Sequence, residues 1–466
     1  MAFFDFLDRS RTIAPPDFNR WLFPPAALAV HMCIGQAYSL SVFNIPLTRL
    51  VGVTKSLPGY DWTLDQASYI FMIAFFMLGM SAAFLGKWVE ANGPRRTMFT
   101  SACCWLIAFL MTAVGVQWHE LWLVYLGYGF FGGIALGLGY ISPVSTLIKW
   151  FPDRPGMATG LAIMGFGGGA LIGSPLANDL LKYWGGGIES RGVVNTFITM
   201  GIMYFCLMMF GAFLARIPAA GWKPAGWVPS TVQNKAITTA NVTADIAIKT
   251  PQFWLLWLVL CLNVTAGIGV LAQASPMIQE MFSDAKRGVG LGITSAAAAG
   301  FVGLLSLFNL VGRFFWSSVS DYTGRRMIYI IYLGLGALLY ALVPSIAASG
   351  NVTLFVAVFC VILSMYGAGF ATVPAYLRDL FGTMQVGAIH GRLLTAWSTA
   401  AILGPLLVNN FRSSTIASGK AAGLTEIMAK VNAYSSVMYV MAALLIVGFI
   451  CNWLIKPVDE KFYFKG

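Results

Sequence analysis

Long apolar runs alternate with short polar loops along the whole chain. Twelve runs are long enough to cross a bilayer, near 22–44, 64–86, 97–117, 121–148, 157–182, 194–216, 252–276, 290–318, 327–347, 353–377, 386–410 and 433–455. About 20 apolar residues span the hydrocarbon core as a helix. Barrel strands would be about 10 residues long with alternating polarity. These runs are continuous, so helices are predicted throughout. The loop at 217–251 stands out by its length. It carries Pro218, Pro224 and Pro229, then a Thr/Asn/Lys stretch, and ends at Thr250 and Pro251. Those two residues suit the N-cap and first turn of the seventh helix. The expected organisation is a six-helix bundle over 1–216, a linker over 217–251 and a second six-helix bundle over 252–466.

Composition supports a membrane protein. Of 466 residues, 58% are apolar and only 10% charged, against roughly 25% charged in soluble domains. The mean hydropathy is +0.75. A soluble enzyme and a disordered chain are poor fits. The net charge of +11 forms no basic patch with interleaved aromatics, so no nucleic-acid partner is expected. Lys and Arg instead collect on cytoplasmic loops of membrane proteins. Cytoplasmic termini would put 19 basic residues inside and nine outside, leaving Arg313 in the middle of a span. A bacterial-type cytoplasmic membrane, with both termini inside and the first span as targeting signal, is the expectation. The seven cysteines lie in apolar runs without a CxxC pair, and read as small buried hydrophobes. With three histidines and no HExxH, neither a metal nor another cofactor is expected.

The two halves repeat. Glu90-x-x-Gly93 after the second span recurs as Asp321-x-x-Gly324 after the eighth, at an offset of 231. The same offset relates Pro143 to Pro374, Gly156 to Gly387, Gly160 to Gly391 and Gly173 to Gly404. Parallel repeats of this kind mark transporters whose halves rock around a midplane site. The loop Gly86-x3-Glu90-x2-Gly93-x-Arg95-Arg96 resembles the loop signature of the major facilitator superfamily, with Glu in place of Asp. Its degenerate copy is Asp321-x2-Gly324-Arg325-Arg326. An acid at a helix end can accept bonds from a neighbouring helix N-terminus, Gly permits a tight reversal, and the arginines anchor one face. The expected role is conformational gating. Small residues four apart, as in Gly156–Gly160 and Gly387–Gly391, allow close helix approach.

Polar residues are concentrated in spans 1, 4, 7, 8, 10 and 11, which are expected to line the pathway. Arg313 is the most informative of them. A mid-span arginine costs about 2.5–3.5 kcal/mol on insertion scales, and its own span holds no acid. Its planar fork matches a carboxylate. Asn309 shares its helical face, and Gln36, Tyr38, Tyr140, Tyr366 and Trp397 are further candidate binding residues. His31 and His390 could carry a proton, although lone histidines in such places are usually structural.

A narrower resemblance covers nearly the whole chain. Asn19-Arg20-Trp21, Gly35-Gln36-Ala37-Tyr38-Ser39-Leu40-Ser41-Val42-Phe43, Lys149-Trp150-Phe151-Pro152-Asp153-Arg154-x-Gly156, Thr250-Pro251-x-Phe253-Trp254, Asn309-x3-Arg313 and Gly387-Ala388-Ile389-His390-Gly391 resemble the oxalate/formate antiporter family, related to monocarboxylate transporters. That resemblance implies an all-α fold of twelve membrane helices, with the span-8 arginine, here Arg313, on the substrate carboxylate. It also implies a span-11 lysine for a second carboxylate, but Trp397 stands there. The aspartate used by animal-type carriers for proton coupling is Asn309 here. The expected function is secondary active transport of small organic monocarboxylates of the pyruvate, lactate or formate type by a monomer, with a proton or counter-anion as the possible co-partner. Oxalate/formate exchange is the alternative within transport. A membrane substrate sensor is the alternative of another class, and no nucleophile–base set supports an enzyme.

Overall fold

The computed structural model describes residues 2–228 apart from 56 and 58, residues 237–282 apart from 239, and residues 293–464. Pro229, Lys235, Lys286, Arg287 and Lys465 lie outside the described residues. Among the described residues there is no strand, only an isolated bridge between Ile13 and Ile217. Eleven helical stretches are long and apolar enough to cross a membrane. One of them, Gln66–Gln117, has 52 residues, about 78 Å if straight, against a hydrocarbon core of about 30 Å. It is two spans joined at Gly93, whose φ of 78° breaks the helix. Among the described residues the spans therefore number twelve: α1 Arg20–Thr48, α2 64–92, α3 94–117, α4 Leu121–Trp150, α5 Pro155–Gly185 and α6 Glu189–Leu214. The second set is α7 Pro251–Met281, α8 Ser295–Thr323, α9 Arg325–Ala348, α10 Val352–Phe381, α11 Val386–Ala421 and α12 Glu426–Leu454.

Helix starts follow capping chemistry. Thr63 and Gln66 form a reciprocal capping box at α2. Thr250 caps α7 by accepting from the Phe253 N–H, with Pro251 in the first turn. Three spans depart from the expected plain helices, α11 by a turn at Leu394 between Val386–Leu393 and Thr395–Ala421. Within α1, residues Gln36–Phe43 wind as a 3₁₀ helix. The Ser39 hydroxyl there bonds back to the Gln36 carbonyl, competing with the regular ladder. Within α4, Tyr125–Phe131 is a π segment. Gly127 and Gly129 there press onto Met111 and Ile73 so closely that a Cβ would lie 2.8 Å from either. Predicted boundaries also shift: α11 runs on to Ala421 and α12 starts at Glu426.

Both termini lie on one face. Arg9 donates to the Glu90 carbonyl at the end of α2, and the Phe464 N–H donates to the Asn241 carbonyl between α6 and α7. We call this the terminal face. The halves meet along α5–α8 and α2–α11. A Cβ on Gly156 would sit 2.3 Å from the Ser317 carbonyl oxygen, and one on Gly391 would sit 2.1 Å from that of Ala82. These contacts run from the terminal face to mid-membrane, where Gly168 packs on Leu310 and the Ser398 hydroxyl bonds to the Phe76 carbonyl. Beyond them, Leu171, Ile172, Leu403 and Leu406 are exposed. The molecule is closed at its terminal face.

Candidate functional site

Arg313 on α8 is fully buried. Its Nε donates to Asn309 Oδ1 at 3.0 Å, one turn back on the same helix. Its Nη1 reaches the Ile163 carbonyl of α5 at 3.3 Å, and its Nη2 has no protein partner. No carboxylate pairs with it among the described residues. Glycines make the room: a Cβ on Gly367 would lie 2.2 Å from Asn309 Oδ1, and one on Gly167 would lie 3.0 Å from Arg313 Nε. Phe370 and Phe166 flank the guanidinium at 5.3 and 5.9 Å from their ring centroids. Such faces favour a cation without neutralising it.

Tyr38, Tyr140 and Tyr366 bring three phenol groups into the electrostatic reach of Arg313. All three hydroxyls are buried without a hydrogen-bond partner. Gly267 lets Tyr366 lie flat against α7, since a Cβ there would meet the ring at 2.0 Å. Trp397 on α11 is fully buried at the centre of the group. Its ring packs against Phe370 at 4.3 Å, Phe166 at 5.4 Å, and Tyr140 and Phe75 at 5.5 Å, thereby touching both halves. The arrangement is an aromatic box with one unneutralised cation and several free hydrogen-bonding groups, suited to one small anion with an apolar part.

The structure brings together Arg313, Asn309, Tyr38, Tyr140, Tyr366 and Trp397. Gln36 is placed elsewhere: its Oε1 accepts from Tyr128 at 2.9 Å within the first half. Phe75, Phe166 and Phe370 escaped sequence reasoning, because a phenylalanine in a span carries no signal of its own. Spans α2 and α5 therefore contribute to the box although neither is polar.

The repeated loops sit at the terminal face. Glu90 accepts from the Gly387 N–H at 3.0 Å and from Lys149 Nζ at 2.6 Å. Asp321 accepts from the Gly156 and Met157 N–H groups, both at 2.8 Å, and pairs with Arg325 at 2.5 Å. Gly86 lies against Ala388, and Gly93 and Gly324 take the left-handed φ values of 78° and 85°. Arg95 donates to the Phe6 carbonyl at 2.9 Å, Arg96 to Asn92 at 3.0 Å, and Arg326 to the Trp453 carbonyl. Beside the Glu90 loop is a cavity of about 560 Å³ bordered by Arg9, Lys87, Glu90, Ser142, Lys149 and Gln385.

A strap from the segment between α6 and α7 covers this face. Thr238 and Val242 bond through their N–H groups to the Asp379 and Phe381 carbonyls. Asp245 then bridges the halves, accepting from Lys87 at 2.5 Å and Arg392 at 2.6 Å. Those two hydrogen bonds, Lys87 first, hold its carboxyl down at about 2.

Twelve helices in two packed sixes, meeting around a buried site and closed at one face, define a membrane carrier. The family profile of the Major Facilitator Superfamily matches residues 26–405, and the chain belongs to that superfamily. It is a transporter and not an enzyme. It is similar to the oxalate:formate antiporter of Oxalobacter formigenes, 27% identical over 402 residues covering 85% of this chain and 87% of that one. It is also similar to apicoplast pyruvate carrier 1 of Toxoplasma gondii, 23% identical over 438 residues and 78% of each chain. A fucose:proton symporter from Escherichia coli shares the fold at a TM-score of 0.58 and 13% identity, over 92% of this chain and 99% of that one.

Proposed function

We propose that this transporter moves small organic monocarboxylates across a cytoplasmic-type membrane by alternating access, with Arg313 holding the carboxylate. The observation that carries the proposal is a fully buried guanidinium with Nη2 unpartnered, ringed by three unpartnered phenol hydroxyls. A carboxylate would complete that set with bidentate and phenol bonds. Asn309 orients the fork through its bond to Nε. The excess of basic residues on the terminal face supports cytoplasmic termini, with the bundles 1–216 and 252–466 rocking about the linker 217–251. Glu90 and Asp321 then act as latches of the closed cytoplasmic face.

Substrate charge follows from the cation count. Arg313 is the only cation among the residues of the box, so it can neutralise one carboxylate. A dianion would leave about one charge uncompensated. At an effective dielectric of about 20, a unit pair at about 4 Å is worth about 4 kcal/mol. Desolvation offsets much of that, but each ~1.4 kcal/mol remaining is tenfold in affinity. Trp397 fills the place a second cation would need, and its face can take a methyl group. Oxalate/formate exchange is the second reading, favoured by the similarity to the Oxalobacter protein. Competition decides between them: pyruvate, lactate, formate and oxalate are each set against a labelled monocarboxylate in proteoliposomes. The monocarboxylates should win clearly, and equal competition by oxalate would overturn the single-cation argument.

A further inference from the structure

We propose that His31, Tyr140 and His390 form a proton site beside the carboxylate site, so that one proton crosses with each monocarboxylate. This rests on the carboxylate-carrier reading above. The three side chains come from α1, α4 and α11 and are all buried. Tyr140 stands between the histidines, with ring centroids 5.4 Å from His31 and 5.8 Å from His390. His31 Nε2, the Tyr140 hydroxyl and His390 Nε2 have no protein partner. Buried polar atoms are normally paired, so three adjacent exceptions mark a place that handles a polar guest. The tautomer favours a proton as that guest. His31 Nδ1 bonds to the Ala27 carbonyl at 3.0 Å, which requires its hydrogen there and leaves the lone pair on Nε2.

The surrounding charges tie the proton to the substrate. Arg313 on α8 acts electrostatically on His31. Its unpaired charge opposes a second cation, and a bound carboxylate cancels that opposition. The other titratable groups acting on the trio are Tyr38 on α1 and Tyr329 on α9, both through Tyr140. Toward the terminal face, Glu90 on α2 and Lys149 on α4 are bonded to each other. From α5, Gly165 and Phe166 bring no charge. No carboxylate lies in the box among the described residues, which leaves the imidazoles as its proton-accepting side chains.

The step balances. An O–H bond of a hydronium at the open side breaks as the Nε2–H bond of His31 forms. The Tyr140 hydroxyl relays the proton to His390, or His31 returns it directly to water on the other side. The carboxylate is chemically unchanged, and the charge moved sums to zero. Electroneutrality matters, because an inside-negative potential of 100 mV would hold a free anion about 50-fold lower inside. Parting of the terminal face would draw His390 on the second half away from Tyr140 and His31 on the first, and so time proton release to substrate release.

The test uses the full chain in proteoliposomes with pyruvate as probe and a pH dye trapped inside. Wild type is expected to acidify the lumen on pyruvate addition, with about one proton per pyruvate. One unit of pH, acid outside, should raise accumulation about tenfold. His390→Gln and His31→Gln are expected to keep counterflow of labelled pyruvate while losing the acidification. Should either fail to fold, the wild-type stoichiometry still decides. Pyruvate uptake without acidification, or histidine variants that acidify as wild type does, would overturn the proposal. Absence of counterflow for every monocarboxylate would instead sink the carrier reading, and this inference with it.

Discussion

Arg313 shows how far a single residue can be read from sequence. Its mid-span position was legible in the sequence, and the structure adds that it is fully buried with Nη2 unpartnered, the costly arrangement on which the proposed anion site rests. Asn309 was placed on the same helical face by spacing, and the structure adds the 3.0 Å bond it accepts from Arg313 Nε. Tyr38, Tyr140, Tyr366 and Trp397 announced themselves as polar or amphipathic rings within spans. Gln36 did too, yet it turns to Tyr128, because spacing along one helix does not say which neighbour a side chain meets. Phe75, Phe166 and Phe370 could not be found, since only tertiary packing separates them from lipid-facing phenylalanines. Trp397 carries a residue-scale prediction. Trp397→Lys should shift selectivity toward oxalate by supplying the second cation. The ratio of oxalate to pyruvate competition reads this, and an unchanged ratio would show that Trp397 only fills space.

At the scale of elements, the duplication proved to be a contact as well as a pattern. Glu90 bonds to the Gly387 N–H, and Asp321 bonds to the Gly156 N–H. The same offset of 231 that relates the two acids relates the two glycines, so each half latches onto the helix N-terminus of the other. Carboxylates are favoured at such ends. Glu90→Ala should slow turnover while leaving apparent substrate affinity within a few-fold, because the latch is remote from Arg313. A large affinity change at unchanged turnover would contradict this. Gly156→Ala should act through shape, since its Cβ would lie 2.3 Å from the Ser317 carbonyl oxygen. The closed terminal face becomes strained, and labelling of a thiol at Ser145→Cys from that side should increase. Unchanged labelling would mean that the helices part without cost. The 3₁₀ turn of α1 and the π segment of α4 were illegible, because hydropathy averages over several residues and sees no change of hydrogen-bond register.

At the scale of the molecule, hydropathy foretold the number of spans, since the bilayer forces every span to satisfy its own backbone, and the repeated Glu90 and Asp321 loops carried the resemblance to the superfamily. It did not foretell the strap. Asp245 sits in a polar stretch that reads as featureless linker, yet it joins Lys87 to Arg392 across the halves. Its carboxyl, held at about 2 against an ordinary 3.8, is depressed by folding. The clasp is therefore fully charged above about pH 4, and weakens only as pH falls through about 2. Between pH 5 and 8 its strength should not vary. Asp245→Asn should raise access to the terminal face at every pH in that window, as read by the same thiol labelling. If access in the wild type rose between pH 8 and 5 and the Asn variant removed that rise, the clasp would be a pH sensor and this account of it wrong.

The carboxylate anchor is tested most directly by counterflow of a labelled monocarboxylate through wild type, Arg313→Ala and Arg313→Lys, matched for folded protein in the membrane. The account predicts robust exchange by wild type, none by the alanine variant and little by the lysine variant, since a point charge does not replace a planar fork. Near-normal exchange by Arg313→Ala would contradict it.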